Sequence, residues 1–277
     1  MKRVVLFTFL LPVLYAGLSF SQQAGKHTVP EGVFAYAINA RRLIAVDKDL
    51  EESNARLLAK AVCPTHAITS AVSLSAIGKA GNGATPGFQY ESESDVPAGS
   101  YCLLVDPKAH EKLFVWGSAD SPLLMREKKC PEDIAKQAEG LTGRKVASCD
   151  LIGSYGTGKV ELVEYAHESP ADRLAALMVI DHSMADGPRY SIARFPAGSS
   201  VWTAETDGTF HPERFRYLFT VSDDPDSELW SVAIEWAGPA GHDLTLYQPV
   251  GSELKPLILT HDSSRHEKSA AADIALK

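Results

Sequence analysis

The chain has 277 residues, 27 basic against 35 acidic side chains, a formal net charge of −8 and 45% hydrophobic residues. That apolar content fits a globular protein and excludes a disordered one. The acidic excess is scattered, with no basic cluster to interrupt it, which argues against nucleic acid and against anionic membrane surfaces as partners.

Lys2 and Arg3 open the chain, and a mostly apolar stretch runs from Val4 to Leu18. Ser19-Phe20-Ser21 then supplies small residues at the two positions a signal peptidase reads. A charged start, an apolar middle and a small-x-small end form a secretory signal. The stretch is shorter than the about 20 apolar residues a spanning helix needs, and Pro12 interrupts it. The best later apolar run, Leu174 to Ile180, is strand-sized. Residues 1–21 are therefore expected to be a signal peptide, cleaved after Ser21. Losing Lys2 and Arg3 takes the net charge from −8 to −10. No Cys sits just after the cleavage point, so no lipid anchor is expected. The mature protein is expected to be soluble, secreted or periplasmic, with no transmembrane segment.

Residues 22–150 read as a mixed α+β region. Asp47 can cap a helix running to about Val62, with Leu50, Leu57, Leu58 and Ala61 on one face and Glu52 and Arg56 four apart. Pro64 helps to end it. Lys79 to Gly87 is a glycine-rich loop. Tyr101–Val105 and Lys112–Trp116 read as strands around the turn Asp106-Pro107-Lys108. A second helix starts at Pro131, buries Ile134, Ala138 and Leu141, and weakens at Gly140.

Residues 151–262 read as strand after strand. The candidates, counted from just before the boundary, are Lys145–Cys149, Lys159–Tyr165, Arg173–Ile180, Arg189–Phe195, Val201–Ala204, Arg216–Val221, Leu229–Trp236, Leu244–Gln248 and Leu257–Leu259. Turn signals rich in Gly, Pro and Asp separate them, which suggests an antiparallel sandwich or barrel. Trp230, Val232, Ile234 and Trp236 alternate with Leu229, Ser231, Ala233 and Glu235, so the two sets face opposite ways. Arg173–Ile180 is the weakest strand, because Leu174 to Met178 are all good helix formers. Residues 263–277 form a frayed tail with few large apolar residues. The fold class is thus mixed α+β: a small α/β N-terminal part followed by a β-rich antiparallel sandwich or barrel.

Cys63, Cys102, Cys130 and Cys149 all lie in the first region. Their even count and an exported setting predict two disulfides. Of the three possible pairings, the one joining Cys130 to Cys149 is preferred, because it ties the start of the second helix to the strand after it. Cys63 with Cys102 follows by elimination.

Several motifs resemble chemistry and fail on context. Gly153-Ser-Tyr-Gly-Thr-Gly158-Lys159 has P-loop spacing, but Val160 stands where the metal-binding hydroxyl belongs, and a strand follows where a helix is needed. His110-Glu111, His167-Glu168 and His266-Glu267 lack the second histidine of a zinc protease, the positions being Phe114, Ala171 and Ala270. Asp181-His182-Ser183 are neighbours on an extended chain and cannot converge as a relay. Cys63 and His66 would be half a metal site, with no second pair to complete it. The pairs Glu91/Glu93 and Asp223/Asp224 sit in polar, turn-rich stretches that suit solvated charge. Trp202, Trp230, Trp236, Tyr217 and Tyr247 suit a β core better than a ligand platform.

No catalytic, cofactor-binding or metal residue is therefore expected, and no cofactor. The sequence favours a non-catalytic binding or envelope-structural protein with a protein or glycan partner. The alternative is an exported hydrolase whose active site is assembled only in three dimensions.

Overall fold

A computed structural model describes residues 32–47, 49–64, 69–70, 72–79, 87–108, 113–117, 125–126, 130–182, 187–203, 208–222 and 230–263. The signal at 1–21, His66, His110-Glu111, Ser183, Asp223/Asp224, and 264–277 of the tail, with His266-Glu267, lie outside the described residues. In chain order the elements are β1 (Gly32–Asn39), β2 (Arg42–Ala45), α1 (Glu52–Ala55), β3 (Lys60–Val62), β4 (Thr69–Ser70), β5 (Val72–Lys79), β6 (Phe88–Ser92), β7 (Tyr101–Val105), β8 (Phe114–Gly117) and β9 (Met125–Arg126). There follow α2 (Glu132–Thr142), β10 (Val146–Tyr155), β11 (Gly158–Tyr165), β12 (Leu174–Asp181), β13 (Arg189–Pro196), α3 (Ser200–Thr203), β14 (Phe215–Ser222), β15 (Ser231–Gly238), β16 (Gly241–Val250) and β17 (Glu253–Asp262).

The strands form two sheets. The first closes into a six-stranded barrel in the order β1-β2-β6-β5-β3-β7. So few strands leave a narrow interior, and small residues line much of it: Ala35, Ala37, Ala45, Ala55 and Ala61 pack with Leu43, Phe88, Tyr90 and Leu104. The Tyr90 hydroxyl donates to the Ala55 carbonyl at 3.0 Å. Burial pushes its phenol up to about 12.

The second sheet has eleven strands in the order β4-β8-β14-β15-β16-β17-β13-β12-β11-β10-β9. Every described pairing in it is antiparallel except β13 with β17, which meet at the single parallel bridge Ile192–Glu253. The sheet curls until β10 packs against β14, enclosing Leu162, Leu177, Trp202, Tyr217, Trp230, Val232, Ile234 and Trp236. α2 covers the outside of β10 to β12 with Ile134 and Ala138, against Val163, Tyr165, Ala176 and Met178. The barrel sits on the outside of β14 to β16, where Phe34, Leu103 and Val105 meet Phe219, Ala233, Leu244 and Leu246.

The antiparallel β-rich architecture agrees with the sequence, but the α/β character expected of the N-terminal part is not found, its described strands forming an antiparallel barrel with one helical turn, α1. The helix expected from Asp47 to Val62 is the single turn α1, and Lys60–Val62 is strand β3 between β5 and β7. Ladder pairing on both sides, with Ala61 and Val62 fully buried, outweighs the helical spacing of the leucines, of which Leu57 is exposed. Tyr101–Val105 and the strand near Trp116 are not a hairpin, because β7 pairs with β1 and β3 while β8 pairs with β4 and β14. Val201–Ala204 was expected to be a strand. Ser200–Thr203 is instead one helical turn, entered through Gly198 at φ +87. It drops Trp202 into the core with its indole N–H donating to the Phe195 carbonyl at 2.9 Å. α2 starts as the sequence indicates, includes Gly140, and stops at Gly143 in the left-handed conformation at φ +72. Residue 150, where the texture of the sequence changes, lies inside β10.

Disulfides join Cys63 to Cys102 and Cys130 to Cys149. The first pins the end of β3 to β7, and the second pins the entry of α2 to β10. Among the described residues no helix is long and apolar enough to cross a membrane.

Candidate functional site

The P-loop-like glycines have a packing role. β10 runs through Gly153 to Tyr155, and β11 returns from Gly158 after a two-residue turn at Gly156-Thr157. A Cβ on Gly153 would lie 2.4 Å from the Tyr217 ring, and one on Gly158 would lie 2.4 Å from the Tyr155 ring. Both glycines therefore clear space for aromatic rings. Trp202, Trp230, Trp236 and Tyr217 are buried in the same core, and Tyr247 packs against it. Among the described residues no three of His, Cys, Asp and Glu stand together as a metal cluster.

Glu91 and Glu93 border an open cavity of about 420 Å³ with Arg41, Ser75 and Ser92. Arg41 donates to the Glu93 carbonyl and pairs with Asp95 at 2.8 Å. The guanidinium thus ties down the end of β6, and the two carboxylates stay in solvent.

Among the described residues three carboxylate–imidazole pairs come together, one within a single turn of chain and two across strands. His211 Nδ1 lies 2.7 Å from Glu213 Oε1, and its Nε2 lies 2.8 Å from Thr209 Oγ1. His261 Nδ1 lies 2.6 Å from Asp243 Oδ1 across β16 and β17. That second pair borders a pocket of about 190 Å³ with Ser200, Trp236 and the turn Gly238-Pro239-Ala240-Gly241. His242 Nδ1 lies 2.7 Å from Glu235 Oε1 across β15 and β16, on the opposite face of the sheet.

The third pair belongs to a larger cluster at the junction of barrel and sheet. Glu235 is 5% exposed and Asp262 1% exposed. Arg216 approaches Glu235 at 3.6 Å from β14. From the barrel, Tyr101 donates its hydroxyl to Asp262 at 2.9 Å, and its ring lies 5.4 Å from Tyr36 and 5.8 Å from His242. The hydrogen bond to Glu235 holds the His242 imidazole above its ordinary value; burial opposes this, and the charges of Glu235 and Asp262 support it. Burial raises the Tyr101 phenol, helped by Asp262.

The surface beside this cluster is β17. Past Glu253, β13 diverges, so among the described strands β17 has a ladder partner only on its β16 side. The wedge between β13 and β17 is a groove of about 260 Å³ lined by Phe195, Tyr247, Leu254 and Pro256, with Arg194 and Glu253 at its rim. Leu257 is 41% exposed and Leu259 70% exposed on this strand. A strand with one open edge, exposed leucines and an adjoining apolar groove is a template for another extended chain.

Comparison with protein-family models, with curated proteins and with solved structures gives no match.

Proposed function

We propose that the chain is an exported binding protein that takes an extended segment of a partner protein along the open edge of β17, as a non-catalytic recognition or envelope component. The observation that carries this reading is the edge of β17 from Lys255 to Thr260, which has no second ladder partner among the described strands, beside the exposed Leu257 and Leu259. Backbone hydrogen bonds would supply affinity there, and the leucines and the wedge at Tyr247 would receive alternate side chains of the segment. The net charge of −8 favours a basic segment and disfavours a second copy of the same chain. A protein partner is preferred to a glycan because the tryptophans that would stack on a sugar, Trp202, Trp230 and Trp236, are buried.

The test is selection of displayed random peptides against the folded protein, followed by titration calorimetry. Enriched peptides should be basic, with apolar residues at alternate positions, and should lose at least about tenfold in affinity against Leu259→Asp, as expected when an apolar anchor meets a charge. Peptides that bind Leu259→Asp equally well would reject the site. Dimerisation of the wild type that Leu259→Asp abolishes would replace the partner by a second copy.

A second reading, an exported hydrolase, rests on the hydroxyl–imidazole–carboxylate chain Thr209–His211–Glu213 and on the pocket shared by Ser200, His261 and Asp243. In both pairs Nδ1 faces the carboxylate, which is the arrangement a relay needs. Covalent labelling by a fluorophosphonate probe, mapped to Ser200 or Thr209 and lost on His261→Ala or His211→Ala, would establish it. Absence of labelling would remove it.

A further inference from the structure

The docking strand ends in the buried charged cluster. Asp262, the last residue of β17, accepts the Tyr101 hydroxyl and lies opposite His242 in the β16–β17 register. Three elements of the large sheet supply the other charges: Arg216 from β14, Glu235 from β15 and His242 from β16. From the barrel, β1 presents Tyr36 and β7 presents Tyr101. Two buried carboxylates thus face one guanidinium and one imidazole. Protonated His242 sets a positive charge directly against the buried Glu235 carboxylate, and neutral His242 withdraws it, a change that is costly in a poorly solvated junction.

We propose that Glu235, His242, Asp262 and Tyr101 form a proton-dependent clasp that fixes β17 against the six-stranded barrel and so regulates the docking edge. This inference rests on the docking reading of β17. The Glu235 hydrogen bond holds His242 above the ordinary histidine value of about 6.5. A raised histidine contributes stability that is fully present below about 6.5 and is lost as pH rises through the folded-state value. The clasp is therefore closed under mildly acidic conditions and loosens as pH rises through the raised folded-state value of His242. An exported protein meets the pH of its surroundings, so this range is one it would encounter.

Hydrogen exchange followed by mass spectrometry tests the clasp without any partner. At pH 6 and pH 8.5, corrected for intrinsic rates, fragments covering β7 and β17 should lose protection at the higher pH in the wild type. His242→Gln cannot gain the proton, so its β17 protection should be pH-independent and close to the wild-type alkaline value. Tyr101→Phe removes the link to Asp262 and should lower β17 protection at pH 6. Calorimetry with a selected peptide should show about fivefold tighter binding at pH 6 than at pH 8.5, at the low end of allosteric couplings, and no difference for His242→Gln. An equal pH response in wild type and His242→Gln would overturn the clasp and leave the docking site standing. Peptides that bind at neither pH, with the exchange difference intact, would overturn the docking reading and leave the clasp.

Discussion

Replacing Gly153 by Ala tests the packing account of the glycine-rich segment. The new methyl carbon would stand 2.4, 2.5 and 2.6 Å from Cγ, Cδ1 and Cβ of Tyr217. Ordinary carbon contacts lie at about 3.5–4.0 Å, so ring and strand must part by roughly 1 Å. The ring has little room to yield, because Tyr217 is 2% exposed and its hydroxyl donates to the Trp116 carbonyl at 2.8 Å. Overpacking of this kind costs about 1–3 kcal/mol, and the reduced freedom of the unfolded chain returns about 0.5 kcal/mol. A net loss of about 2 kcal/mol corresponds to a fall of about 4–8 °C in melting temperature for a chain of this size. Calorimetry of Gly153→Ala, Tyr217→Ala and the double variant checks the source of the loss. With the ring gone the contacts to Cγ and Cδ1 disappear and only the one to Cβ at 2.6 Å is left, so Gly153→Ala should cost at least about 0.5 kcal/mol less in the Tyr217→Ala background. A neutral Gly153→Ala, or strictly additive single variants, would refute the account.

Lys159 flanks the same turn and is half-exposed. Lys159→Ala should change stability by no more than about 0.5 kcal/mol, and a filter assay should detect no lysine-dependent ATP binding. Replacing Cys130 and Cys149 by Ser opens a loop closed across 19 residues and should cost about 3 kcal/mol in chemical denaturation, with about 4 kcal/mol for Cys63 and Cys102 across 39 residues. Free-thiol counting on the protein from its own compartment should give zero. N-terminal sequencing of that material should begin at Gln22, and an intact Met1 species held in the membrane would contradict export and cleavage.

Most of the strands read from the sequence lie in runs of successive antiparallel pairs, whereas Tyr101–Val105 was read from its apolar run although its partners β1 and β3 are distant, and the adjacent pair β1 and β2 was not read. β10 to β13 and β14 to β17 are successive antiparallel pairs, apart from β13 with β14. Leu174 to Ile180 read as a strand despite its helix-forming residues, and its packing explains the continuous apolar run. Ala175, Leu177 and Val179 enter the core of the curled sheet, while Leu174, Ala176, Met178 and Ile180 meet the layer under α2. Other errors occur where pairing is long-range. Lys60–Val62 is a strand because β5 and β7 bracket it, and nothing local in Leu57-Leu58 reveals those partners. Trp202 sits on a helical turn because its indole finds the Phe195 carbonyl, a demand invisible to strand propensity.

The candidate site was even less accessible, for a related reason. Tyr101 and Asp262 are 161 residues apart and meet only because the barrel is laid on the outside of β14 to β16. One local sign existed. Glu235 shares its side of β15 with Ser231 and Ala233, both buried, and a carboxylate on a buried strand face requires a partner that neutralises or hydrogen-bonds it. The sequence could show that requirement but not its solution, since His242 is a plausible surface residue until the hairpin register brings it diagonally across from Glu235. The two faces of β16 carry His242 with Glu235 and Asp243 with His261, in different surroundings. The first is closed over by the barrel, whereas the second borders an open pocket with Ser200. Alternation along β16 therefore assigns neighbouring residues to separate tasks. His242 faces the junction, where its proton stands against the buried Glu235 carboxylate. Asp243 faces the pocket, where its charge meets solvent and incoming groups. For that reason a pH effect removed by His242→Gln can be separated from any effect of His261→Ala.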